Sequence, residues 1–485
     1  MTTTVMYRGF DSAIIFECTN STYKRRGAPV RERTHVIRPL GPFALNEVFV
    51  NRGIPSTVIN YTEFWDPDKL FDSVSAWLEK NSAKNPLILA SSLFDIDFIS
   101  SDTVAGMVAE RLQAIYPNSK VIIGGPVSRQ HLKNKPYAIF QGRSLHLFEQ
   151  WLDEKDIPSE NVNLINGILY FQNKSFVVVE DPIVPQLYDD YCLTDRDIVL
   201  FETRLGCKFN CSFCSFEFRN AKKVADTTAE RLHKFFLDAY NKYGLTRFSV
   251  ADDTFNEDDQ KIFMLQAATR GLPFKPQIVG YNRFDIMMAK PWQVEALDQC
   301  GYVGHYFGIE TLHLEASKAI RKGIRKERAY EFMSYLRDSF PHWWTSSGYI
   351  VGLPYEPTKH IRDTFAEICD QKLLKALIPS PLVLFKPEGY HDAQYSEFVK
   401  EPEKFGIQVT GREADDCLSW HHEIIDSMGA RVLAKRLASY VGTNKLETIC
   451  GWEWLTQESV GYGIEAADRH IHAYISRKAK FLESR

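Results

Sequence analysis

Ile198-Val-Leu-Phe-Glu-Thr-Arg-Leu-Gly-Cys207-Lys-Phe-Asn-Cys211-Ser-Phe-Cys214 is the stretch on which the reading of this chain turns. An apolar run over residues 198–204 reads as a strand, and a C-x3-C-x2-C loop follows it at once. Three thiolates are one too few to close a metal site. A [4Fe–4S] cluster normally takes four cysteines, so with three one iron stays open for a small molecule. Soft thiolates suit zinc as well as iron–sulfur clusters. Structural zinc sites pair two short motifs, and no second pair follows here. The other six cysteines (Cys18, Cys192, Cys300, Cys369, Cys417 and Cys450) are scattered singly. A three-cysteine zinc knot completed by a distant ligand is the alternative reading of the same loop.

Outward from that loop the chain alternates strand and helix. Strands are predicted over 247–251, 277–281, 302–309, 343–351 and 382–386, with helical patterns between them. Thr227-Thr-Ala-Glu230 reads as a capping box opening a helix that carries Leu232, Phe235, Phe236 and Tyr240 on one face. Six consecutive βα units predict a partial (β/α)6 barrel, whose functional side chains collect at the carboxyl ends of the strands. Asp252, Asp253, Arg283 and Glu310 fall at such ends, as do Gly352-Leu-Pro354 and the cysteines. Each polar residue also has a plainer reading. The aspartates serve as helix caps, and Arg283 and Glu310 belong to structural ion pairs.

Before the barrel, residues 36–40 lead through Gly41-Pro42 into a helix over 43–52. Strands over 56–61, 87–91 and 121–123 then alternate with helices over 70–80 and 103–116. This pattern predicts a parallel, doubly wound, Rossmann-like sheet. Ligands of such sheets sit outside the carboxyl ends of the strands, where this chain places Gly41, Ser91, Ser92, Gly124 and Gly125. Small residues there admit a flat or phosphate-bearing ligand, and they are also ordinary turn residues.

Residues 161–194 read as a hairpin and a proline-marked linker, and the chain beyond 391 as mostly helical. Within that last part, His421-His422 are adjacent and do not share a helix face, which favours a solvated helix over a metal pair. The α/β fold class therefore divides into a Rossmann-like domain over 1–160, a hairpin and linker over 161–194, a partial barrel over 195–390 and a helical segment over 391–485.

The chain has 485 residues, of which 44% are hydrophobic and 13% aromatic, enough to build buried cores and to argue against long disorder. Its formal net charge of −4 excludes a global polyanion-binding surface. A basic stretch over 24–38 reads as a solvated loop or as a phosphate-contacting arm. The N-terminus lacks a basic segment followed by an apolar one, and no apolar stretch is long enough to span a bilayer. Singly placed cysteines suit a reducing compartment. The expectation is a cytoplasmic protein that does not contact a membrane.

With those residues quoted, residues 195–390 resemble the radical S-adenosylmethionine (SAM) superfamily, whose hallmark is C-x3-C-x2-C with an aromatic, here Phe213, before the last cysteine. Phe248-Ser-Val-Ala-Asp-Asp-Thr-Phe255 resembles the family's second-strand segment, and Arg283-Phe-Asp285 its third-strand Arg-x-Asp. Gly301-Tyr-Val-Gly-His-Tyr-Phe-Gly308-Ile-Glu310 is similar to the G…GIES strand, with Thr311 in place of serine. Tyr349-Ile-Val-Gly-Leu-Pro-Tyr-Glu356 is similar to GLPGET, with Tyr355 in place of glycine. More weakly, residues 35–150 resemble the cobalamin-binding domain that precedes the barrel in one subclass, through Pro39-Leu-Gly-Pro, Ala90-Ser-Ser and Ile123-Gly-Gly-Pro126. The D-x-H-x-x-G motif is absent, so no cobalt-ligating histidine carries over.

The resemblance implies that Cys207, Cys211 and Cys214 hold three irons of a [4Fe–4S] cluster and that SAM occupies the fourth. It implies reductive cleavage of SAM to a 5′-deoxyadenosyl radical, fed by a flavodoxin- or ferredoxin-like donor. Phe213, Asp252, Asp253, Arg283, Glu310, Gly352 and Pro354 are the expected SAM neighbours, and Gly41, Ser91, Ser92, Gly124 and Gly125 the expected neighbours of cobalamin, a candidate third cofactor. Cobalamin-assisted methyl transfer is the favoured reaction. The alternatives are a cobalamin-independent isomerase, oxidoreductase or C–C bond-forming enzyme and, from another class, a non-catalytic metal-binding interaction protein. A nucleotide or nucleic-acid substrate suits the basic stretch; a peptide, lipid or small metabolite suits the rest equally.

Overall fold

The computed structural model describes residues 9–18, 36–91, 103–125, 137–165, 167–172, 181–216, 225–386, 395–413, 417–444 and 446–484. Contacts gather these residues into two compact units interleaved along the chain. One comprises Met1–Phe201, Asp238–Leu245 and Thr456–Arg485; the other comprises Glu202–Leu237 and Thr246–Leu455.

The first unit contains β1 (Ser12–Glu17), β2 (Ile37–Arg38), β3 (Ser56–Ile59), β4 (Pro86–Ser91), β5 (Lys120–Gly125), β6 (Ala138–Gln141), β7 (Val162–Ile165), β8 (Ile168–Gln172) and β9 (Ile198–Phe201). Seven of these form one sheet in the order β3-β1-β4-β5-β6-β8-β7. It is parallel except where β7 turns back antiparallel on β8. The expected hairpin therefore extends this sheet. From β1 the chain reaches β3 on one side, and β4, β5 and β6 on the other, so the switch point lies between β1 and β4. β2 pairs separately with β9.

Helices cover the sheet because their apolar stripes demand burial. Leu70, Val74 and Leu78 of the helix Pro67–Lys80 share a core with Ile14, Ile88 and Ile123, and with Ile471, Tyr474 and Ile475 of the helix Ile464–Ser484. Asp66 caps the first of these helices by accepting from Lys69 N at 2.9 Å. Gly41 and Pro42 lie in the first turn of the helix Leu40–Val50 rather than between strand and helix.

The second unit contains β10 (Arg247–Val250), β11 (Gln277–Asn282), β12 (Tyr302–Glu310), β13 (Trp344–Val351), β14 (Ala376–Pro381), β15 (Leu384–Phe385), β16 (Gln408–Arg412) and β17 (Cys417–His421). Strands β10 to β14 run parallel, each hydrogen-bonded to the next. Helices intervene as the βα alternation requires. β9, the first strand of the expected series of six, falls in the first unit.

Three expectations are corrected here. The last parallel strand is β14, not residues 382–386. Pro379 and Pro381 disguise it, and they are tolerated because β14 ends its sheet and a proline there forfeits no ladder bond. Residues 384–385 instead join β16 and β17 in a small antiparallel sheet. His421 ends β17, where Leu418 and Trp420 point inward on a two-residue period, so this is a strand and not a solvated helix. The capping box slips by one residue. Thr228, not Thr227, accepts from Arg231 N at 3.2 Å and precedes the helix Ala229–Tyr243.

Candidate active site

The cysteine loop is anchored from two sides. On one side, Thr203 donates through N (2.7 Å) and through its hydroxyl to Asp252, whose carboxylate also pairs with Lys261 at 2.6 Å. Lys208 N donates to Glu257 at 2.7 Å, and Arg204 forks onto Asp226 at 2.5 and 2.8 Å. On the other side, Arg321 donates to Asn210 O at 2.7 Å and pairs with Glu397, Ser212 Oγ donates to Ala319 O, and Phe398 N donates to Ser212 O. A loop with this many fixed points presents its thiols in a set geometry.

Each thiol has a polar neighbour. Cys207, buried, donates to Thr254 Oγ1 at 3.6 Å; burial pushes its pKa up to about 11. Cys211 Sγ accepts from Arg283 Nη1 at 3.5 Å, and Cys214 Sγ accepts from Phe216 N at 3.5 Å. Among the described residues no three His, Cys, Asp or Glu side chains close around one metal ion.

Arg283 joins this loop. Its guanidinium forks onto Asp285 at 2.9 and 2.6 Å and stacks 3.9 Å above the Phe209 ring. Burial works against its charge, but Asp285 more than restores it.

Glu310 ends β12 at φ +66°, in the left-handed region that side chains disfavour. Lys322, almost buried, lies 3.1 Å from Glu310 Oε1, donates to Gly308 O and sits 6.0 Å from the centre of the Phe213 ring. A Cβ at Gly308 would come within 2.9 Å of both ions, so glycine there makes room for the pair. The next turn is held from behind: the buried Glu356 accepts from Thr311 Oγ1 and Tyr349 Oη and meets His360 at 2.9 Å.

The expected residues are thus distributed unevenly. Cys211 and Arg283 are brought together, as are Phe213, Glu310 and Lys322. Asp252 is buried with both oxygens engaged inside the protein. Asp253 lies beside it, half-buried. Gly352, at φ +99°, packs against Trp420, and its carbonyl meets His422 Nε2 at 3.0 Å; Pro354 is buried two residues on. Phe213 leans on the core formed by Leu353, Leu382 and Trp420. Lys322, Phe209, Thr254 and Glu356 were not singled out from the sequence. Phe209, Thr254 and Glu356 lie inside the quoted motifs, but no role was given to them there, and Lys322 lies in none.

In the first unit, Gly41, Ser91 and Gly124 meet at the carboxyl ends of β4 and β5. A Cβ on Gly41 would lie 2.6 Å from Ser91 Oγ, and Ser91 is the register partner of Gly124. Gly125 follows at φ +125°. Ser92 lies outside the described residues.

Comparisons with known proteins follow this geometry. Residues 202–368 match the model of the radical SAM superfamily. Over 323 residues the chain is 23% identical to the cobalamin-dependent radical SAM methyltransferase TokK of Streptomyces tokunonensis, covering 59% of this chain and 45% of that protein. The chain thus spans less than half the length of that relative. The structure is similar in fold to the radical SAM methyltransferase TsrM from Kitasatospora setae, solved with cobalamin and a [4Fe–4S] cluster (TM-score 0.59, 12% identity, 97% of this chain and 99% of that one). It is also similar in fold to the cobalamin-dependent enzyme OxsB, solved with aqua-cobalamin and SAM (TM-score 0.56, 11% identity, 98% and 79%). Among the described residues no helix is long and apolar enough to cross a membrane.

Proposed function

We propose, from the premise that residues 202–368 belong to the radical SAM superfamily, that this protein is a radical SAM enzyme modifying an unreactive carbon, with cobalamin-assisted methyl transfer as its reaction. The observation that carries the proposal is the thiol triplet of one anchored loop, touched by Arg283 at Cys211 and lying in a segment that matches this family. A [4Fe–4S] cluster with SAM would supply radical chemistry at an unreactive carbon there, and cobalamin would supply a methyl group.

In this reading Cys207, Cys211 and Cys214 hold the cluster. Arg283, against Cys211 Sγ at 3.5 Å, offsets the negative charge that three thiolates bring into a half-buried loop. Glu310 and Lys322 present an anion and a cation together, which suits the ribose hydroxyls and the zwitterionic methionine end of SAM. Phe213 offers an apolar face beside them. Asp253 stands nearby, and Gly352 with Pro354 shapes the backbone at the end of β13. Asp252 acts at one remove, holding Thr203 and so the start of the cysteine loop.

For cobalamin, the switch point between β1 and β4 is the binding edge that a doubly wound sheet provides. Gly124 leaves it open, since a Cβ there would meet no atom nearer than 4.0 Å. Gly41 has an internal reason, its contact with Ser91. The likeness to TokK favours methyl transfer over the cobalamin-independent reactions. A flavodoxin- or ferredoxin-like protein is the proposed reductant.

Anaerobic reconstitution tests this. The protein is expected to gain the visible absorbance of an iron–sulfur cluster and to form 5′-deoxyadenosine from SAM. Cys211→Ala loses both while keeping its circular dichroism. Retained SAM cleavage in that variant refutes the cluster assignment, and one zinc ion per chain with four side-chain ligands refutes the enzyme. A corrinoid spectrum with near-stoichiometric cobalt supports methyl transfer; its clean absence from supplemented cells moves the reaction to the cobalamin-independent class.

A further inference from the structure

The first unit contains a cleft that the reading above does not use. It encloses about 310 Å³ between the turn Thr194-Asp195-Arg196 and one face of the helix Ile464–Ser484. His470 and Arg477, seven residues apart, share that face, Arg469 flanks it, and Arg196 lines the same space from the turn. Three guanidinium groups stand against the carboxylate of Asp195 in the lining and that of Glu465 beside Arg469, which leaves the cleft net positive.

Those charges are poorly compensated within the protein. Arg477 spends Nη2 on the Cys192 carbonyl at 3.4 Å, but its Nε is buried and has no hydrogen-bond partner. Arg469 finds only Glu465, 4.0 Å away and almost fully exposed. His470 is held by Asp197 at 3.3 Å, and Asp197 is fixed in turn by Arg38 at 2.7 Å. The back wall is therefore rigid. Among the described residues no Phe, Tyr or Trp ring lines the cleft.

We propose that this cleft binds a compact phosphate-class anion: inorganic phosphate, pyrophosphate or the phosphate end of a small metabolite. Guanidinium forks match phosphate oxygens two at a time, and the net positive lining favours an anion. A buried, unpartnered Nε–H is the kind of donor that such a ligand would satisfy.

Calorimetric titration of the intact chain with phosphate and with pyrophosphate, at matched ionic strength, decides the matter. Saturable binding at one site is expected. The double variant Arg196→Gln/Arg469→Gln alters two exposed residues and so keeps the fold. It should bind at least about tenfold more weakly, equivalent to roughly 1.4 kcal/mol. Arg477→Gln should weaken binding as well, while 5′-deoxyadenosine formation by the double variant stays at the wild-type rate. Absence of saturable binding overturns the proposal, as does equal affinity in the double variant. A single-stranded oligonucleotide retained through these arginines when free phosphate is not would also overturn it, in favour of a nucleic-acid surface.

Discussion

Tyr355 turns its backbone through φ +70° while its ring is 44% exposed and its hydroxyl reaches only Lys404 O at 3.5 Å. The family motif places glycine at this position, and the conformation explains why. A left-handed backbone costs an L-residue about 1–2 kcal/mol, and glycine returns up to about 1 kcal/mol of that as chain entropy. Tyr355→Gly should therefore be neutral to stabilising, by up to about 1 kcal/mol. A urea-unfolding midpoint that falls clearly below that of the wild type would show that the ring contributes more than its contacts suggest. Glu310 carries the same strain at φ +66°, but there the side chain is committed to Lys322. Strain kept at a residue whose side chain is committed to a specific partner motivates the hypothesis of a functional role for Glu310. Both motif positions were legible in the sequence. Lys322 was not, because its place beside Glu310 comes from the turn between two helices and from no repeat.

At the scale of the element, β12 carries His305, fully buried among Tyr302, Phe307 and Trp343, with Nδ1 3.1 Å from Asn282 Nδ2. Burial lowers its pKa from 6.5 to about 3. Between those values the unfolded chain binds a proton that the folded protein does not. Stability from this group is thus complete above pH 6.5 and declines as the pH falls toward 3. At pH 5 the loss amounts to about 2 kcal/mol from His305 alone. Urea midpoints at pH 7 and pH 5 for wild type and His305→Phe check this: the drop should shrink in the variant, and an unchanged drop would place the titration elsewhere. Elements were legible wherever period and caps agreed, as in the helices Pro67–Lys80 and Val104–Ile115. They were missed where local chemistry misleads. Two prolines hid β14, and two adjacent histidines drew attention away from the alternation of β17.

Across the whole chain, residues far apart in sequence meet in one buried ion pair of the first unit. Arg38 donates to Asp197 at 2.7 Å with both side chains fully buried, between the rings of Tyr61 and Tyr474. Burial alone would raise the Asp197 pKa, yet Arg38 and His470 hold it well below the usual carboxylate range. Asp197→Asn strands a cation in the core and should cost about 3–5 kcal/mol, whereas Arg38→Met/Asp197→Leu should recover most of that. Calorimetric melting of the three proteins tests it; a mild single variant, or a double variant as weak as the single, would show that the pair is not what secures this core.

By itself the sequence determined the cysteine loop and the βα alternation, because thiol spacing, strand period and helix period are properties of neighbours along the chain; the first sheet strand, Ser12–Glu17, was not among its readings. The tertiary structure alone decided which carboxylate meets which cation: Asp252 with Lys261, Glu310 with Lys322, Asp197 with Arg38, and the return of the last helix to the first unit. Those pairings depend on which side chains are taken out of water together, and burial is settled only when distant segments pack.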